Sequence, residues 1–266
     1  MPLSYYFPLA CAAKFIRARI AYILYCLCLV FSSQQAQAQV KPDTSRLVSA
    51  SVAVLEKQYA QAFETHPQLY NGPEYVDYAK RYHLRIGHQY FLSDEKQPGT
   101  VYYNQHYFPD LLLSYDVVFD QLIIQHATSP FTLRFLDENV RAFTIGQHRF
   151  IRIEADSTAA APFRTGYYEV LVDSTIQLLA KRAKRRQEKI NQRYVDIEFT
   201  AIDKLFLKRE GTYHPVSNKR SITRLFADRG KEVQKYIQDN KLKFRKRTRE
   251  DDIVRLTRFY AGLRPQ

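Results

Sequence analysis

The sequence predicts an α+β fold: a central antiparallel β-sheet, either a sandwich or a partly open barrel, with an N-terminal helix and C-terminal helices. Three observations predict it. Between Gln89 and Leu179, short aromatic and β-branched runs follow one another, divided by turn-forming residues such as Pro98-Gly99, Asn104-Gln105, Ser129-Pro130 and Gly146-Gln147. No helical segment separates these runs, and closely spaced strands of that kind pair antiparallel. From Asp43 to Thr65, and again after Val216, apolar residues instead recur at the spacing of a helix with one buried face.

The chain begins with a different signal. Lys14, Arg17 and Arg19, with no acid among them, precede the apolar stretch Ile20 to Phe31 and a polar run ending in Ala36-Gln37-Ala38. Charge, apolar core and small residues in that order make a cleavable export signal over 1–38. The apolar stretch is too short for a spanning helix, which needs roughly 20 residues, so cleavage before Gln39 and a periplasmic, outer-membrane or secreted location are expected. All three cysteines, Cys11, Cys26 and Cys28, and the single methionine lie in this piece. The chain from Gln39 onward therefore has no thiol, which excludes disulfides, thiolate metal sites and cysteine nucleophiles there.

Three segments are expected after the signal: 39–86 helical, 87–216 antiparallel β, and 217–266 basic and helical. In the first, Val48, Val52, Leu55, Tyr59, Ala62 and Phe63 fall on one helical face; Thr44 or Ser45 can cap its start, and Pro67 and Asn71-Gly72-Pro73 stop it. In the second, strands are expected at 100–103, 111–115, 121–125, 131–135, 140–145, 149–154, 167–172 and 176–179. Residues 155–162 read as a small-residue surface loop. The run from Lys181 to Arg186 has Ala183 as its only apolar residue, so it fits either a solvated helix or a strand overrunning the sheet. A hairpin follows, 204–207 and 212–216 around Glu210-Gly211. In the third segment Ile222, Leu225 and Phe226, then Val233, Tyr236 and Ile237, then Ile253, Leu256, Tyr260 and Leu263 mark helical faces, with Thr248 and Asp251 as a cap for the last.

Several short stretches resemble a family of exported proteins of Gram-negative bacteria with no assigned activity. They are Leu69-Tyr70-Asn71-Gly72-Pro73-Glu74-Tyr75, Gly87-His88-Gln89-Tyr90-Phe91, Tyr115-Asp116 with Asp120-Gln121-Leu122, Gly166-Tyr167-Tyr168-Glu169, and Lys181-Arg182. The resemblance runs over most of the chain after the signal, departs at Lys96 and at Asp173-Ser174-Thr175, and implies an envelope or periplasmic setting without implying chemistry.

Motifs that would announce catalysis are missing from the sequence. The seven histidines form no His-Glu-x-x-His, and no Gly-x-Ser-x-Gly elbow or glycine-rich phosphate loop occurs, so no metal and no cofactor is expected. Asp116 and Asp120 could divide acid and base roles in glycoside hydrolysis, but two aspartates at strand ends more often shape turns. Tyr70, Tyr75, Tyr78 and Tyr82 could form an aromatic face for a sugar or peptide, although core packing explains their spacing better.

Charge gives the strongest functional hint. Residues 39–175 hold 12 Lys and Arg against 16 Asp and Glu, whereas 176–266 hold 25 against 11. The candidate anion-binding residues are Lys181, Arg182, Lys184, Arg185, Arg186 and Lys189, with Lys243, Arg245, Lys246 and Arg247. Outside the cytoplasm nucleic acid is not the expected partner; anionic lipid, lipopolysaccharide or acidic glycan is. The sequence thus predicts a non-catalytic envelope protein that contacts an anionic surface or partner through its basic C-terminal part, with no membrane span after the signal. The alternative is a secreted or periplasmic hydrolase acting on glycans or peptides.

Overall fold

The computed structural model describes Val52 and residues 66–155 and 163–263. From His66 onward these belong to one compact unit. The export signal, the helix expected over 43–65 and the loop over 155–162 lie outside the described residues, Val52 and Ala155 apart.

Thirteen strands are present among the described residues: β1 Arg85–Ile86, β2 Gln97–Tyr103, β3 His106–Asp116, β4 Gln121–Gln125, β5 Thr132–Arg134, β6 Val140–Ile145, β7 His148–Ile153, β8 Gly166–Asp173, β9 Gln177–Lys181, β10 Lys184–Ile190, β11 Val195–Ala201, β12 Lys204–Arg209 and β13 Thr212–Val216. Ten of them form one antiparallel sheet in the order β13-β12-β9-β8-β7-β6-β2-β3-β4-β5. It is not closed, since β13 and β5 are its two edges. Two of its hairpins turn on two residues that both have positive φ, Asn104-Gln105 and Glu210-Gly211. That conformation matches the right-handed twist of the flanking strands.

The sheet rolls over on itself. On a flat sheet β3 and β8 would lie about 19 Å apart, four strand spacings, yet the rings of Tyr115 on β3 and Tyr167 on β8 are 6.0 Å apart. Phe143 and Phe150 stack at 4.7 Å between the same strands, and Tyr115 meets both edge-on. This aromatic cluster fills the inside of the roll, with Leu69, Phe91, Leu122 and Phe135 closing around it.

Further along, the strands bury a second core. A register shift between Val170 and Val172 bends β8, and beyond it Val172, Leu178, Leu205 and Val216 pack against three C-terminal helices. The helices are α1 Lys219–Leu225, α2 Gly230–Asp239 and α3 Arg249–Ala261. Asn218 and Ser221 form a reciprocal cap for α1. Thr248, expected to cap α3, makes no capping bond; its hydroxyl donates to Asp252 instead.

A second sheet has the order β1-β11-β10; the run that fitted either helix or strand supplies the start of β10, whereas β1 and β11 were not among the expected strands. β10 pairs with β11 over its whole length. Ile197 and Phe199 on β11 pack on Ala79 and Tyr82. From Arg185 on, β10 is exposed and largely charged, which discourages pairing with another chain.

Candidate binding surfaces

The ten basic residues divide into two groups. Lys181 at the end of β9 reaches Asp120 Oδ2 at 2.5 Å and the Tyr167 carbonyl at 3.1 Å. Asp120 has φ of 61° in the turn between β3 and β4, accepts a hydrogen bond from the Tyr115 hydroxyl, and accepts from Tyr167 N at 3.3 Å. Only a glycine fits opposite: a Cβ on Gly166, whose φ is +150°, would lie 2.1 Å from Asp120 Oδ2. Burial pushes the Lys181 pKa down and the Asp120 carboxylate opposes that shift.

Arg182 carries a larger network. Its Nε donates to Glu169 at 2.5 Å, its Nη1 to Asp203 at 2.9 Å, and its two terminal nitrogens grip both oxygens of Glu250 at the start of α3. Glu169 is 3% exposed and also faces His148 Nδ1 at 2.5 Å. Paired across the sheet with Phe150 on one side and Ala180 on the other, it sits where the two apolar cores meet. Burial alone would lower the Arg182 pKa; Glu250 and Glu169 reverse that and hold it above the usual value. Lys184 donates to the carbonyls of His88 and Tyr90 at 2.8 and 2.7 Å.

The remaining cations face water. Arg186 lies over the rings of Tyr78 and Phe119, and Lys189 pairs with Glu198 at 2.6 Å. Arg185 is exposed and makes no ion pair among the described residues. Lys243, Arg245, Lys246 and Arg247, in the loop between α2 and α3, are exposed and likewise unpaired. That loop is nevertheless firmly built. Leu242 and Phe244 pack into the helical core, and the buried Asp252 accepts from Phe244 N at 2.7 Å and from the Thr248 hydroxyl at 3.1 Å.

A different cluster surrounds Asp116. The chain from Tyr75 to Tyr90 crosses the outer face of the rolled sheet and covers this fully buried carboxylate. Tyr75 donates to Oδ2 at 2.9 Å, and the Val118 and Phe119 amides donate to Oδ1 at 2.8 and 3.1 Å. Burial raises the Asp116 pKa, and these hydrogen bonds offset part of the rise. Burial, with the Asp116 charge behind it, also raises Tyr75 and Tyr78. Asp116 and Asp120 therefore serve separate clusters, each shaping the turn between β3 and β4. The tyrosines are packed as core: Tyr75 and Tyr82 are buried, Tyr70 borders the roll and Tyr78 the small cluster beside β11.

Next to Asp116 a cleft of about 1010 Å³ opens between this covering segment and strands β3 to β5. Gln89, Tyr75, Ser114 and Ile123 reach its floor; Lys80, Arg85, Asp94 and Phe131 stand around it. Gln89 is 2% exposed and gives its amide hydrogens to Asp77 at 2.8 Å and to the Tyr75 hydroxyl at 3.4 Å. His88 also lines the cleft; its pKa is lowered by burial and by Lys184, and its Nδ1 is buried without a partner. Nothing in the chemistry of isolated residues singles out Gln89 or Ser114. The one signal was the grouping of 69–75, 87–91 and 115–116 as recognisable stretches, and these meet here. Among the described residues no group of His, Cys, Asp and Glu is arranged to hold a metal ion, and no helix is long and apolar enough to cross a membrane. Comparison of the chain with protein-family models, with curated proteins and with solved structures finds no match.

Proposed function

We propose that this is an exported, non-catalytic envelope protein that docks on an anionic surface through the loop between α2 and α3. One observation carries the reading: Lys243, Arg245, Lys246 and Arg247 stay in water without carboxylate partners among the described residues, on a backbone that Asp252 holds in place. A held loop loses little conformational freedom on binding, so its Coulomb attraction is not consumed in ordering it. Anionic lipid, lipopolysaccharide and acidic glycan all present the required charge. Lys181, Arg182 and Lys184 contribute to the fold that supports the loop, not to the contact.

The test is co-sedimentation with anionic vesicles, and retention on immobilised lipopolysaccharide and on heparin, at low and rising salt. Binding to at least one is expected, falling steeply with salt. At a bilayer each cation is worth about 1 kcal/mol, so replacing all four by alanine should remove most of the affinity. The reading fails if none of the three surfaces is bound at low salt, or if the fourfold variant binds unchanged. The alternative of a hydrolase on glycans or peptides lacks a comparable observation, because its two candidate carboxylates are engaged in separate clusters.

A further inference from the structure

The cleft beside Asp116 shares no lining residue with the loop between α2 and α3. Its floor holds neutral polar atoms that the protein leaves without partners. Both hydrogens of the Gln89 amide are used inside the protein, but its Oε1 accepts no hydrogen bond, and Ser114 Oγ makes none among the described residues. Ser114 is 9% exposed and Gln89 only 2%. Polar atoms on nearly buried side chains, with no internal partner and with access to a cleft, are the pattern of a ligand site.

Three observations select the ligand class. Asp116 and Asp77 stand directly behind Tyr75 and Gln89, and around the cleft Lys80, Arg81, Arg85 and Lys96 are interspersed with Glu74, Asp77 and Asp94, so no concentrated charge of one sign is present to select a phosphate, a carboxylate or a cation. Peptide addition to the sheet is blocked: the open side of β5 is already used by Pro73 and Tyr75, which exchange backbone hydrogen bonds with Arg134 and Thr132. Neutral groups that donate and accept remain, beside Phe131, an aromatic ring 54% exposed at the lip. A sugar supplies both halves of that complement, hydroxyls for Gln89 Oε1 and Ser114 Oγ and a C–H face for the ring. At about 1010 Å³, the cleft is at the upper end of the range for ligand sites, so it accepts several linked rings.

We propose that this cleft binds a neutral oligosaccharide. Isothermal titration of the purified protein with chitohexaose, cellohexaose and maltohexaose, and separately with inorganic phosphate and tetra-alanine, tests it. At least one sugar should bind with a dissociation constant of about 1 mM or tighter, and neither phosphate nor the peptide should compete with it. Ser114→Ala removes one hydroxyl and Phe131→Ala removes an exposed ring, and each should weaken sugar binding by about fivefold. The variant lacking the four loop cations should bind sugar like the wild type, which separates this site from the anionic contact. The proposal is overturned if no sugar binds at about ten times that concentration, if phosphate or the peptide binds in the cleft instead, or if both cleft variants bind as the wild type does.

Discussion

Lys181, Arg182 and Lys184 turn their charges inward, each against acceptors supplied by a distant part of the chain, whereas Lys243, Arg245, Lys246 and Arg247 leave theirs in water. In the sequence the two runs look alike. They differ in what the topology carries to them. Rolling the sheet brings Asp120 to Lys181, and the adjoining strand brings Glu169 to Arg182. The start of α3 brings Glu250 to the same guanidinium. Near the second run, the buried carboxylate Asp252 is taken up by a backbone amide and a hydroxyl, so the cations beside it remain unpaired. Density of positive charge therefore does not distinguish a binding surface from a structural joint; the position of the counter-charges does.

The sharpest way to break this comparison is Arg182→Ala. It leaves Glu169, with 4% of its side chain exposed, facing only His148. Removing one partner of a buried ion pair costs about 3–5 kcal/mol, to be measured by urea denaturation. A loss below about 1 kcal/mol would show that the network is dispensable and that the inner cations are no more structural than the outer ones.

Asp116 sharpens the comparison from the opposite sign, as a buried carboxyl held by amides and a phenol, with no ion pair among the described residues and only the through-space charge of Lys184 nearby. Its pKa is raised, burial being the main cause, so the native state holds this proton more tightly than the unfolded chain does. The resulting stability is fully present below the unfolded pKa and is lost as pH rises through the folded one. Asp116→Asn has no such loss. Relative to the variant, the wild type should become less stable across that window and then level off, as read from denaturation at stepped pH. A difference that stays constant with pH would show that Asp116 titrates as it does in the unfolded chain.

The smallest effect is expected at the outer run. Arg245→Ala and Lys246→Ala remove exposed, unpaired charges and should each change stability by less than about 0.5 kcal/mol in the same urea measurement. A larger destabilisation would mean that these cations, too, belong to the fold.

Much of the sheet was legible in the sequence, because local pattern decides it. β4, β6 and β13 have the bounds that their alternation predicts, and Glu210-Gly211 turns as its residues require. β10 was not decided by its own sequence. Lys184–Ile190 has almost no apolar residue to show a period of two, and it is a strand because β11 offers a partner edge. The sites were less legible for a related reason. Asp116 and Asp120 are near neighbours in the chain yet face different clusters, and Gln89 gains its meaning only when Asp77, Tyr75 and Asp116 arrive around it.

The contact between Asp120 and Lys181 joins residues 61 positions apart, and the strands between them must be in place before the two charges can meet. The hairpins of the roll close over short loops, whereas this clasp is expected to close after them, because loop-closure entropy delays contacts of large sequence separation. An interaction made after the folding barrier leaves the folding rate nearly unchanged and acts on the rate of escape from the native state. The clasp thus governs how long the rolled sheet lasts once formed, more than how readily it forms.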